Sequence, residues 1–155
     1  MANNHSNLAS RLTSILGFTR TSLNQDKQYL YHLENASLTL YLVNYLANCS
    51  YISSSIVTVI NQRDGWIVNT QIKSTIEPQQ EKNIQAVFNE LGVVSTPSKL
   101  INSVLMKLDS GATITEVMRH YHVSIVSHGV PQCDDIEVFR TDVIKGLGYC
   151  PQYLA

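Results

Sequence analysis

The chain is short of charge. Asp, Glu, Lys and Arg make up 15% of its 155 residues, against about a quarter in an ordinary globular protein. The formal net charge is -1. A weak and nearly balanced charge lacks the electrostatic footprint that drives binding to phosphate backbones or anionic lipid, which argues against a nucleic-acid partner. It also leaves little repulsion between copies, so self-association is the expected state.

Cysteine is sparse as well. Cys49, Cys133 and Cys150 are an odd number without CxxC spacing, which fits reduced thiols in a cytoplasmic setting rather than a disulfide framework. No basic leader followed by an apolar run is read at the start. The longest apolar stretch, LTLYLVNYLA, is too short to cross a bilayer and contains Asn44, so no membrane insertion is expected. The sequons at Asn4, Asn35 and Asn48 are discounted, because a chain this rich in Asn, Ser and Thr produces them by chance.

Catalytic signatures are missing too. There is no phosphate-cradling loop with Lys and Ser/Thr, no GxSxG elbow and no HExxH, so the common kinase, hydrolase and metalloprotease readings lose their support. The glycine pair in KGLGYC follows a helical pattern and serves as a C-cap. Cys133 precedes a helix N-terminus, where a thiolate can be stabilised, but the adjacent Asp134 and Asp135 oppose its ionisation. A non-enzymatic protein without a cofactor is expected.

What the chain does have is 44% hydrophobic residues in periodic segments, enough for a single domain over 1–155 with a core of its own. Leu8, Leu12, Ile15 and Leu16 after Ser6 predict a helix ending near Gly17. A three-to-four residue period through Leu30, Leu33, Leu40, Val43 and Ala47 predicts a second, from about Gln25 to Ala47. Ser53 to Ile72 reads as a β-hairpin turning at Asp64-Gly65. Ile56, Ile60 and Val68 are assigned to one face and Val57, Val59 and Ile67 to the other, so the ribbon needs cover on both sides, from its own helices or from another copy.

Helices are predicted again after Pro78, ending at Gly92, and after Pro97. Two capping-box patterns follow, Thr113 to Glu116 and Asp134 to Glu137, the second opening a helix that ends at Gly146 and Gly148. The final YCPQYLA is expected to be irregular.

The stretch TITEVMRHYHVSIVSHG, Thr113 to Gly129, has two readings. As a helix-turn-helix it would make the protein a DNA-binding regulator. That reading puts His122 where a tight turn wants a small residue, and it supplies no Lys or Arg on the supposed recognition helix. The alternation of Tyr121, Val123 and Ile125 against His120, His122, Ser124 and Val126 favours a strand over about 120–127, joining the hairpin as a third strand. On such a strand His120 and His122 would lie about 6.6 Å apart on one face, close enough to share a metal. His128 shares their parity but lies about 20 Å further along, beyond a common first shell unless the chain bends; Cys133, Asp134, His32 and Cys49 are candidate further ligands that spacing does not place.

Five tyrosines, Tyr29, Tyr31, Tyr41, Tyr45 and Tyr51, crowd one part of the chain. Tyr41 and Tyr45 share a helical face, and tyrosine suits interfaces because one end is apolar and the other stays wet. The expected fold is therefore α+β and mainly helical: a hairpin (about 53–72), a third strand (about 120–127), and helices at both ends. The order helix, strand, Asp-Gly turn, strand, helix over about 25–92 resembles small sensory and scaffold domains of the GAF or roadblock kind. The expected function is a protein–protein interaction or assembly module, homo-oligomeric or bound to another protein, with Tyr41, Tyr45, Val57, Val59 and Ile67 at the interface. A ligand-sensing or metal-binding domain using His120 and His122 is the alternative, and the DNA-binding regulator is third.

Overall fold

The structure is a computed structural model that describes residues 26–52 and 54–155. The helix expected over 6–17 lies outside the described residues. Five strands form one antiparallel sheet: β1 (Lys27–Leu33), β2 (Ile56–Gln62), β3 (Gly65–Ile72), β4 (Val93–Val94) and β5 (Ser124–Gly129), in the order β4-β1-β3-β2-β5. Five α-helices accompany them among the described residues: α1 (Ala36–Ala47), α2 (Pro78–Leu91), α3 (Lys99–Asp109), α4 (Ile114–Tyr121) and α5 (Asp134–Leu147). The α+β class is as expected, but a hairpin with one added strand undercounts the sheet by two.

The missing strands have separate causes. In β1, Leu30 and Leu33 happen to sit at helical spacing, yet Tyr29, Tyr31 and Leu33 alternate with Leu30 and His32 and pair with β3 along the whole strand. Asn35 then starts α1, its side chain accepting from the Leu38 amide at 2.9 Å, so the expected helix from Gln25 is a strand followed by a capped helix. Strand β4 has only two residues, Val93 and Val94 paired with His32 and Tyr31, which is too short for a periodicity to show. From α1 to α2 the order is helix, strand, strand, helix, with β1 in front of it and inserted beside β3.

The hairpin stands where it was expected, with a different register. Gln62 pairs with Gly65, so the turn is Arg63-Asp64, and Val59 faces Val68 while Ile60 faces Ile67. A two-residue turn inverts parity between the strands: Val57, Val59 and Val68 share one face, and Ile60 and Ile67 share the other.

Helices of the same chain cover both faces. The first is packed by α1, α2 and α5 around Trp66, Val57, Val59, Val68, Phe88 and Ile136. On the second, α3 and α4 bring Ile101, Val104, Leu105, Leu108 and Val117 onto Ile60, Ile67 and Ile125. Apolar burial on this scale is the main favourable contribution to folding. Pro78 opens α2 with a Glu77–Gln80 capping box, and Thr113 and Glu116 form the box that opens α4. By contrast Pro97 lies one residue before Ser98, the true N-cap of α3. α5 begins after Cys133 without a side-chain cap, because Cys133 occupies the capping position expected of an aspartate. The C-terminal Gln152–Leu154 forms a short 3-10 turn rather than an irregular tail. It is pinned by buried Leu154 and by the Trp66 indole, which donates to the Tyr153 carbonyl at 2.7 Å.

Candidate functional site

Of the expected interface residues, Tyr45, Val57 and Val59 meet in the first core, whereas Ile67 lies on the opposite face of the sheet and Tyr41 is exposed. Val57, Val59 and Ile67 are 2%, 0% and 5% exposed and lie beneath helices of their own chain, so the hairpin's need for shelter is met internally and these three side chains present no surface. Tyr41 is 64% exposed on α1, whereas Tyr45 is half-buried against the first core.

His120 and His122 lie outside any strand. His120 is in the last turn of α4, its ring edge-on to Tyr121 at 4.6 Å, and His122 is the left-handed C-cap of that helix with φ 55°. The capping box at Thr113 carries the helix to Tyr121, so the strand begins at Ser124, four residues later than expected. The shared strand face on which the metal reading rested is absent. Among the described residues no group of three or more His, Cys, Asp or Glu side chains is arranged to hold a metal. The helix-turn-helix also disappears, since α4 leads into β5 and not into a second helix.

Cys133 is half-buried, and its thiol points at the Leu40 carbonyl at 3.6 Å. Burial, with Glu137 and Asp134 nearby, pushes this thiol above its ordinary value, which removes the basis for a thiolate nucleophile.

A broad concavity lies elsewhere, at the end of the sheet where the hairpin tip, the start of α1, the end of α2 and the C-terminal turn meet. It is an open groove of about 790 Å³. A second hollow of about 380 Å³ adjoins the other side of the hairpin tip and shares Arg63 and Tyr153 with it. His32 is one of the walls of the first groove. Its ring lies against Gly65, where an added Cβ would come within 2.9 Å of Cε1 and Nε2, and its carbonyl lies against Gly92, where a Cβ would come within 2.6 Å. Both glycines are therefore required by close approach, Gly65 doubly so at φ +145°.

Among the described residues His32 Nε2 has no hydrogen-bond partner and is buried, with Asp64 Oδ2 at 3.8 Å. Asn61 Nδ2, on the second hollow, is the same kind of orphan. Glu34, Asp64 and Glu90 also line the first groove, with Arg63 as its cation. In the sequence His32 reads as a further metal ligand and Gly92 as a helix stop; what Gly65 and Gly92 approach is set by the pairing of β1 with β3 and β4.

Two further polar clusters are structural. The Tyr29 hydroxyl donates to Glu81 Oε1 at 2.7 Å, and Lys27 pairs with the same carboxylate. These partners hold Glu81 below its usual range, while burial and Glu81 itself push the Tyr29 phenol up. On the second sheet face, Gln28 donates to Asn69 at 2.9 Å, and Thr58 meets His128 Nδ1 at 2.7 Å.

No family model matches this chain, and no curated protein or solved structure matches it. No helix among the described residues is long and apolar enough to cross a membrane.

Proposed function

We propose that the protein is a non-enzymatic assembly module whose copies join through β5. The observation that carries this reading is the outer edge of the sheet at β5, the last strand of the order β4-β1-β3-β2-β5. Its six residues, SIVSHG, contain no proline and no Asp, Glu, Lys or Arg, the residues with which proteins ordinarily blunt an exposed edge. Among the described residues no backbone hydrogen bond outside the sheet involves β5.

An edge strand pairs with a copy of itself across a two-fold axis without any further complementarity, since antiparallel pairing is its own mirror in sequence. Strand pairing alone falls short of the roughly 800 Å² per partner of a stable interface. The helices on either side of β5, α4 and α5, would supply the remainder, and Val130 and Val138, 74% and 59% exposed, are the apolar side chains at hand. The low net charge supports the same reading.

Light scattering at tens of micromolar tests it. The wild type is expected as a dimer and the Val126→Lys variant as a monomer, because a two-fold axis sets each new charge near its own copy; Val126 packs in part against the first core, so circular dichroism checks that the variant is folded. Ser124→Lys, at an exposed position, is the milder version. A wild-type monomer at that concentration would refute the proposal, and so would dimers that persist in both variants.

A further inference from the structure

The groove around His32 adjoins the opposite edge of the sheet, and the two together define a second binding surface. Strand β4 is the terminal strand on that side. Val93 and Val94 are 70% and 66% exposed, and Val93 is also a wall of the groove. An edge that continues into a groove is the arrangement that accepts an extended peptide as an additional strand, with main-chain pairing at the edge and side-chain recognition beside it.

The groove's chemistry states which peptide. Glu34, Asp64 and Glu90 line the groove together with one guanidinium, that of Arg63, so the lining carries an excess of negative charge in a protein that otherwise has little charge to offer. Complementary charge selects partners and steers their approach. The His32 side chain, 30% exposed, is part of the lining that the guest would meet.

We propose that this surface binds an extended basic segment of a partner protein, added along β4 with its Lys or Arg side chains over Glu34, Asp64 and Glu90. The site is independent of β5, so it can be occupied whether or not the protein self-associates.

The test is fluorescence anisotropy with the labelled peptide acetyl-Val-Lys-Val-Arg-Val-Lys-amide and the full chain. Binding is expected, weakening as salt is raised. The variant Glu34→Gln/Asp64→Asn/Glu90→Gln is expected to lose about tenfold or more in affinity. Methylating alternate backbone amides of the peptide, which leaves the protein untouched, is expected to lose about as much. Three results would overturn the proposal: equal affinity for the same peptide with Glu at its basic positions, no loss on backbone methylation, or competition by free spermidine as strong as by unlabelled peptide. The last would mean that the groove holds a small polyamine and not a strand.

Discussion

The two faces of the sheet are built on different terms. The first is aromatic and deep. Trp66 is fully buried, stands edge-on to Phe139 at 5.7 Å, and spends its only polar atom on the Tyr153 carbonyl; Phe88 meets Tyr31 at 4.9 Å and Tyr29 at 5.4 Å. The second is aliphatic, made of Ile, Leu and Val from α3, α4 and the strands, and beyond that patch it turns polar through Gln28, Asn69, Thr58 and His128. The first face thus ties distant parts of the chain to a few large side chains, including the C-terminal turn. The second rests on many smaller contacts, each of which can be lost at lower cost.

That contrast can be broken by cavity-forming substitutions. Trp66→Ala should destabilise the protein by about 3 to 5 kcal/mol in urea titration, while Ile101→Ala on the second face should cost about 2 to 3 kcal/mol. An equal or greater loss at Ile101 would show that the aliphatic face is the stronger one.

A smaller effect probes the seam where the faces meet at the hairpin tip. Gly65→Ala forces a Cβ against His32 and the Leu33 carbonyl and should cost about 1 to 3 kcal/mol, the range of overpacking in a close-packed site. A neutral result would mean that the backbone around Gly65 and Leu33 shifts readily to admit the Cβ, and that the hairpin tip is not close-packed.

The smallest effect concerns the polar part of the second face. Burial holds His128 below its ordinary value of 6.5, with Asp109 opposing the shift. The unfolded chain therefore binds more protons below about pH 6.5, so His128 adds stability above that pH which is lost as pH falls toward the folded value. Thermal melts should show the wild type losing more between pH 7.5 and pH 5.5 than His128→Gln does, values chosen to lie about one unit on each side of that pKa. Glu81, held low by Lys27 and Tyr29, contributes only at more acidic pH, where its own protonation removes those partners. Identical pH slopes in the two proteins would show that His128 is effectively solvated.

Much of the architecture was legible because local chemistry dictated it. Pro78, Gly92, Thr113 and the crowded β-branched residues of 56–72 each mark an element that the structure contains, since capping, ring constraint and side-chain branching act within a few residues. Strand β1 was not legible: Leu30 and Leu33 satisfy a helical period by coincidence, and what makes the segment a strand is its seven pairings with β3, about forty residues away in sequence. The groove was hidden for a related reason. His32, Glu34, Arg63, Glu90 and Tyr153 come from separate elements, and no spacing in the sequence links them.

By itself, then, the sequence determined that the 56–72 ribbon is a hairpin, that its two apolar faces need cover, and that several helices begin and end at particular caps. Only the tertiary structure decided that the cover comes from the chain's own helices, which side chains share a face across the turn, and that a histidine is set between two glycines beside an open groove. The reason is range: caps and turns are settled by neighbours in sequence, whereas register, burial and cavities depend on segments that meet only when the sheet is assembled.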